Sequence, residues 1–263
     1  MLREQQLRDE IVRTGRMMYE RGWMASSDGN ITARLGPDRL LATPSGVCKG
    51  WLKPEDLIIC DAHGEKISGP GQRTTEMHMH VAIYQERADV QAVVHAHPPT
   101  ATGFAVAGRP LNLGLMPELI VSLGSVPLAE YGQPGTPALS DGMLPYVGKF
   151  NAILLANHGA VTYGDTIMQA YGRMETLEHL ARISLVAELL GGPKVLSRVE
   201  VEKLFDSRKR YGIQVPNEYE PGNPVVAEDL LEGDLPDKDE KLEVTRQQIL
   251  AMVEEALRLK GVL

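Results

Sequence analysis

Two cysteines in 263 residues, Cys48 and Cys60, are too few for a disulfide framework and do not form a CxxC pair. Reduced thiols in a cytoplasmic protein are the expected state. No run approaches the roughly 18 apolar residues that would span a bilayer, and Met1-Leu2-Arg3-Glu4-Gln5-Gln6 lacks the apolar segment of a secretion signal, so a soluble chain without a membrane partner is expected. Basic residues are outnumbered, 27 against 35 acidic, for a net charge of -8, which excludes a broad nucleic-acid surface. A local phosphate site is still open, because it needs only a few backbone amides and one or two polar side chains. Internal repeats and low-complexity tracts are absent too.

What is present suffices for a full core. A hydrophobic content of 43% over this length predicts one domain of α/β size, with or without an appendage. Helical spacing places Leu7, Ile11, Val12, Met18 and Tyr19 on one helix ending near Gly22. Short strands then alternate with Gly and Pro turns to about residue 72, and Thr75 to Ala88 reads as a helix with Glu76 in its first turn. Strand signals dominate from Val90 to Leu155, broken by Gly132-Gln133-Pro134-Gly135. A long amphipathic helix is expected over 165–190, capped by Asp165 and stopped by Gly191-Gly192-Pro193. Ser197-Arg198-Val199-Glu200 has the form of a capping box for a helix to about Tyr211. Residues 216–240 shift to Pro, Gly, Asp and Glu and read as a solvated linker. A charged helix follows from Lys241, so the expected organisation is 1–215, 216–240 and 241–263.

The strongest chemical signal is His95-Ala96-His97-Pro98-Pro99. The apolar run Val90-Gln91-Ala92-Val93-Val94 delivers the two histidines at the end of a buried strand, where side chains at i and i+2 share a face roughly 6.6 Å apart. Ala152-Ile153-Leu154-Leu155-Ala156 delivers His158 in the same way, just before Gly159. Three neutral imidazoles with an open position form the ligand pattern of a catalytic zinc. His63, in a turn, and His179, inside a helical run, read as structural. Three further runs join hydroxyl or amide side chains to a turn or helix start: Ser27-Asp28-Gly29-Asn30, Thr43-Pro44-Ser45-Gly46 and Thr74-Thr75 before Glu76. Each alone is a turn or cap signal, and together they can form an anion nest.

These runs, together with Thr74-Thr75-Glu76-Met77-His78-Met79-His80, Tyr131-Gly132-Gln133-Pro134-Gly135-Thr136 and Ala156-Asn157-His158-Gly159, resemble the class II, zinc-dependent sugar-phosphate aldolase and epimerase family. That family includes L-fuculose-1-phosphate aldolase and L-ribulose-5-phosphate 4-epimerase. The motifs fall in family order over roughly residues 5 to 210. The resemblance implies a three-layer α/β/α domain around a mixed sheet, assembled as a homotetramer with active sites between subunits. It implies zinc, or another divalent transition metal, on His95, His97 and His158, with Glu76 at the metal as general acid/base. It also implies that Gly29, Asn30, Ser45, Gly46, Thr74 and Thr75 bind the phosphate of a small phosphorylated sugar or related acid.

Two positions depart from the aldolase pattern. Thr74-Thr75 replaces Ser-Ser and keeps the hydroxyls, whereas Leu115-Met116-Pro117-Glu118 stands where the aldolase has a tyrosine proton donor. A second tyrosine, from the tail of an adjacent subunit, corresponds to Tyr211 or Tyr219. The expected reaction is retro-aldol cleavage of a phosphorylated ketose to dihydroxyacetone phosphate and an aldehyde. A metal-dependent decarboxylase, dehydratase or 4-epimerase is the alternative. A non-catalytic adducin-like scaffold would not need His95, His97, His158 and Glu76 together.

Overall fold

The computed structural model describes residues 2–210, 220 and 222–233. In chain order these form α1 (Leu2–Glu20), β1 (Asn30–Gly36), β2 (Arg39–Ala42), β3 (Ile58–Asp61), β4 (Lys66–Ser68), α2 (Met77–Glu86), β5 (Ala92–Ala96), α3 (Pro99–Val106), α4 (Pro117–Ser122), β6 (Leu128–Ala129), α5 (Pro137–Val147), β7 (Ala152–Leu155), β8 (Gly159–Gly164), α6 (Ile167–Leu189), α7 (Arg198–Arg210) and α8 (Ala227–Gly233). The chain divides after Ala227 into two units, and the second contributes only the rest of α8 to the described residues.

All eight strands join one sheet in the order β4-β3-β2-β1-β5-β8-β7-β6, antiparallel except for the parallel β6–β7 pair. Period two decides which residues face which layer. Ile31, Val94, Ala96 and Leu154 enter one core with Ile11 and Met18 of α1 and Met174 and Leu177 of α6. Val93, Ile153, Val161 and Tyr163 enter the opposite core with Met77 and Ile83 of α2 and Met143 of α5. A strand apolar on both faces belongs mid-sheet between helical layers, which is the position of β5. Each fully buried aliphatic side chain contributes about 1.5–3 kcal/mol. The expected three-layer α/β/α architecture with a mixed sheet is therefore what the chain forms.

The largest departure from the sequence reading lies between Val90 and Leu155, where strands were expected and three helices stand. Pro99, Pro117 and Pro137 each occupy the first turn of one of them. A proline there gives up an amide that would be unpaired anyway, and its fixed φ suits the helix, so Pro99, read as the end of a strand, also starts a helix. The long helix is capped by Thr166, whose Oγ1 accepts from Gln169 N at 3.1 Å, and not by Asp165. Helix α2 begins at Met77, two residues later than expected, with Glu76 at its N-cap position. At α7 the expected capping residues engage: Glu200 Oε2 accepts from the backbone N–H of Ser197 at 2.9 Å and from its hydroxyl at 2.8 Å.

Within the expected linker, residues 222–227 are not simply solvated. Val225 bridges to Leu113, and Val226 is buried with Ile120 and Val201, because two adjacent valines gain more from apolar contact than from exposure. The tail helix expected from Lys241 lies outside the described residues, as do Tyr211 and Tyr219.

Candidate metal centre and its carboxylate

The register of the sheet places the site. Asn30 on β1 lies directly opposite His95 on β5, and His95 lies opposite Val161 on β8. His95 and Asn30 face the α2 layer, since Val93 and Val94 on β5 and Ile31 on β1 assign the alternate faces. His97 follows the strand end, tied by its N–H to the Trp23 carbonyl at 2.9 Å. His158 sits in the three-residue turn between Leu155 and Gly159, whose central residue Asn157 takes a left-handed φ of 55°. Gly159 is required by close approach: a Cβ there would lie 2.5 Å from His97 Cδ2.

The three rings converge, with centroids 4.7 to 5.1 Å apart and ligand atoms within 4.8 Å of one another. Their outer contacts fix which nitrogens carry protons. His95 Nδ1 donates to the Ala160 carbonyl at 2.9 Å, so its Nε2 keeps the lone pair. His97 Nδ1 donates to Asp28 Oδ2 at 3.1 Å, so its Nε2 also keeps the lone pair. These two Nε2 atoms nevertheless face each other at 3.1 Å, and Glu76 Oε2 stands 3.4 Å from His95 Nε2. Acceptors that converge on acceptors need a cation between them, so the donor set fits a divalent metal. Among the described residues the buried Nδ1 of His158 has no hydrogen-bond partner, while its Nε2 meets Glu76 Oε1 at 2.9 Å.

Burial drives the His95 imidazole down to about 3 and also lowers that of His97, so both are neutral near pH 7, as metal ligation requires. Burial pushes Glu76 upward, but the neighbouring imidazoles and hydrogen bonds from His158 and Asn30 outweigh it and hold the carboxyl well below the usual range. Glu76 is thus ionised near pH 7 in this arrangement.

A buried relay stands behind the carboxylate. Asn30 Nδ2 donates to Glu76 Oε2 at 2.7 Å, which turns Asn30 Oδ1 toward His80 Nε2. His80 therefore carries its proton on Nε2 and accepts at Nδ1 from Thr32 Oγ1 at 2.8 Å, and Tyr84 OH donates to Thr32 at 2.9 Å. Sequence reasoning passed over His80 and Asp28. The signal for His80 was its position four residues after Glu76, on the same helical face, but a histidine there is equally at home in an ordinary core.

Burial lowers His80 to about 4. The unfolded imidazole titrates near 6.5, so its neutral form contributes fully to stability above that pH. The contribution is lost as pH falls toward 4, where only the unfolded chain takes up the proton. Urea titrations of the metal-free protein should accordingly show unfolding free energy dropping across this window, with a shallower drop in His80→Gln. Equal slopes would show that His80 is not held neutral.

The residues expected to bind phosphate are distributed unevenly. Asn30 and Thr74 are buried beside Glu76 and hydrogen-bonded to each other at 3.3 Å. Gly29 takes a φ of +70° and packs against Met24 and the His95 carbonyl. Thr75 is exposed, with the Gly135 loop against it. Ser45 is exposed and its amide already donates to Gln72 O at 2.8 Å, so it could offer only its hydroxyl, whereas Gly46 has open space around it. Lys49 is buried close by, its ammonium donating to the Ser27 carbonyl, and burial lowers its pKa.

Known proteins are similar to this chain in sequence and in fold. The chain is 34% identical over 187 residues to the 3-oxo-tetronate 4-phosphate decarboxylase of Escherichia coli O6:H1, covering 70% of this chain and 88% of that protein. It is 34% identical over 212 residues to the 5-deoxy-D-ribulose 1-phosphate aldolase of Bacillus thuringiensis serovar kurstaki, covering 80% and 99%. A solved L-fuculose 1-phosphate aldolase superposes with a TM-score of 0.72 at 27% identity, covering 79% of this chain and 97% of that one. Residues 9–185 match the family described as Class II Aldolase and Adducin N-terminal domain. With its converging imidazoles and ionised glutamate on this fold, the chain belongs to the class II aldolase family and is an aldolase-type lyase.

Proposed function

We propose that residues 1–215 form a zinc-dependent lyase domain that cleaves a phosphorylated ketose by a retro-aldol step, releasing dihydroxyacetone phosphate and an aldehyde. The observation that carries the reading is the juxtaposition of three imidazoles with a carboxylate whose oxygens stand 2.9 and 3.4 Å from His158 and His95. His95, His97 and His158 hold the metal, with Glu76 beside it. A divalent zinc held there supplies Lewis-acid stabilisation of the negative charge that develops on the substrate oxygens. When the carbon–carbon bond breaks, the hydroxyl of the departing fragment gives up its proton to a base and becomes the aldehyde carbonyl, and the bonding electron pair stays with the three-carbon fragment. Glu76 is placed to exchange a proton with the carbon left behind. Asn30 fixes the carboxylate by its 2.7 Å hydrogen bond, and His80 and Thr32 fix Asn30.

Gly29, Ser45, Gly46, Thr74 and Thr75 hold the phosphate, with Asn30 at the edge of the nest beside Glu76, and this spends remote binding energy on orienting the reacting carbons. A homotetramer with active sites between subunits belongs to the same reading. A second reaction has a specific observation in its favour. Leu115-Met116-Pro117-Glu118 offers no tyrosine to take the hydroxyl proton as the aldehyde forms, and a decarboxylase of a 3-oxo acid phosphate releases carbon dioxide and needs no such group.

The test is product analysis of the zinc-loaded protein against phosphorylated ketoses, 3-oxo-tetronate 4-phosphate and the corresponding free sugars. Dihydroxyacetone phosphate from a ketose 1-phosphate is the expected product, with free sugars turned over far more slowly. Carbon dioxide from the oxo acid alone would move the assignment to the decarboxylase, and equal turnover of the free sugar would remove the phosphate nest.

A further inference from the structure

The three imidazoles rest on unlike outer partners. Among the described residues, His95 Nδ1 has the Ala160 carbonyl, His158 Nδ1 has no partner, and His97 Nδ1 has the carboxylate of Asp28. By sequence Asp28 is only the turn residue of Ser27-Asp28-Gly29-Asn30. In the structure the loop carrying it is pinned at several points. Its Oδ1 accepts from the Ala25 amide at 2.6 Å, and the ammonium of buried Lys49 holds the adjoining Ser27 carbonyl. Ser26 takes a left-handed φ of 52°, Gly29 is wedged against Met24 and the His95 carbonyl, and the Trp23 carbonyl holds the His97 amide. The carboxylate is therefore held against the ring by its own loop.

A carboxylate can only accept, so this contact confines the His97 proton to Nδ1 and aims the Nε2 lone pair at His95 Nε2. An anionic outer partner also makes an imidazole a stronger donor to a metal than a carbonyl does. We propose that Asp28 is a positioning residue that holds His97 in its ligating tautomer and thereby sets the affinity of the metal centre, an inference that rests on the metal reading above. It acts through His97 and need not touch substrate.

The test compares wild type with Asp28→Asn and Asp28→Ala in the full chain. Zinc affinity is measured by competition with a chelator, melting by calorimetry of the metal-free forms, and the His97 ring by nitrogen-15 spectra of the zinc-loaded protein. Asparagine keeps the shape and the acceptor for the Ala25 amide but removes the charge. The expected result is a metal-free melting temperature close to wild type, zinc affinity weaker by about 10- to 100-fold, and loss of the hydrogen-bonded Nδ1–H signature of His97. Alanine should weaken zinc at least as much.

Unchanged affinity in Asp28→Asn, with wild type binding zinc, would overturn the inference alone. So would an affinity loss that merely tracks a lower metal-free melting temperature, because that is what a purely structural turn residue would give. Wild type failing to bind zinc would overturn the metal reading and this inference with it.

Discussion

Glu76→Gln should leave zinc content, melting temperature and oligomeric state close to wild type while lowering turnover by about 10² or more, the usual contribution of a general base. Glutamine preserves the volume at the N-cap position of α2 and keeps one oxygen to accept from Asn30, but it cannot take up a proton. The physical ground is that Glu76 is held ionised by its imidazole neighbours and by the Asn30 amide. The cleanest readout for an aldolase is exchange of a hydroxymethyl proton of dihydroxyacetone phosphate with solvent deuterium, followed without any aldehyde present. Wild type should show the exchange and the variant should lose it. Exchange that persists in the variant would place the base elsewhere, and no exchange in wild type would favour the decarboxylase.

His95→Ala should abolish stoichiometric zinc binding and reduce activity by more than the roughly 10²–10³ that one lost oxyanion donor costs. The same change shows up in stability. A metal bound only by the folded chain stabilises it by about 4 kcal/mol at a thousandfold excess over Kd, so a chelator should lower the unfolding midpoint of wild type and leave the variant unmoved. His95 is fully buried and its ring satisfies the Ala160 carbonyl, so removing it carries a separate cost of roughly 1–3 kcal/mol. His97→Ala serves as the check, because its side chain is 27% exposed and leaves less of a hole. Metal analysis giving equal occupancy in wild type and both variants would sink the assignment.

Much of the site was legible along the chain because its parts are local. Two histidines two residues apart at a strand end share a face whatever the fold, whereas the need for a glycine after His158 is visible only in the structure, where a Cβ at Gly159 would meet His97. The strands around the site announced themselves by apolar runs. The helices between Val90 and Leu155 did not, because Pro99, Pro117 and Pro137 carry one signal for two outcomes, a chain break or a helix start. Which one occurs depends on whether the following residues have a sheet face to cover.

The chain alone offered the candidate ligand types, their spacing and the hydroxyl-bearing turns, since these follow from residue identity and short-range periodicity, while the role expected of Glu76 came with the family resemblance. Only the tertiary structure decided that Asn30 stands opposite His95, that His80 lies behind Asn30, and that Asp28 meets His97. These are contacts across strands and loops 50 to 69 positions apart, as between Asn30 and His80 or between Asp28 and His97. No local pattern encodes them, because the order of strands in the sheet is set by which apolar faces must be buried together, and that is a property of the whole chain.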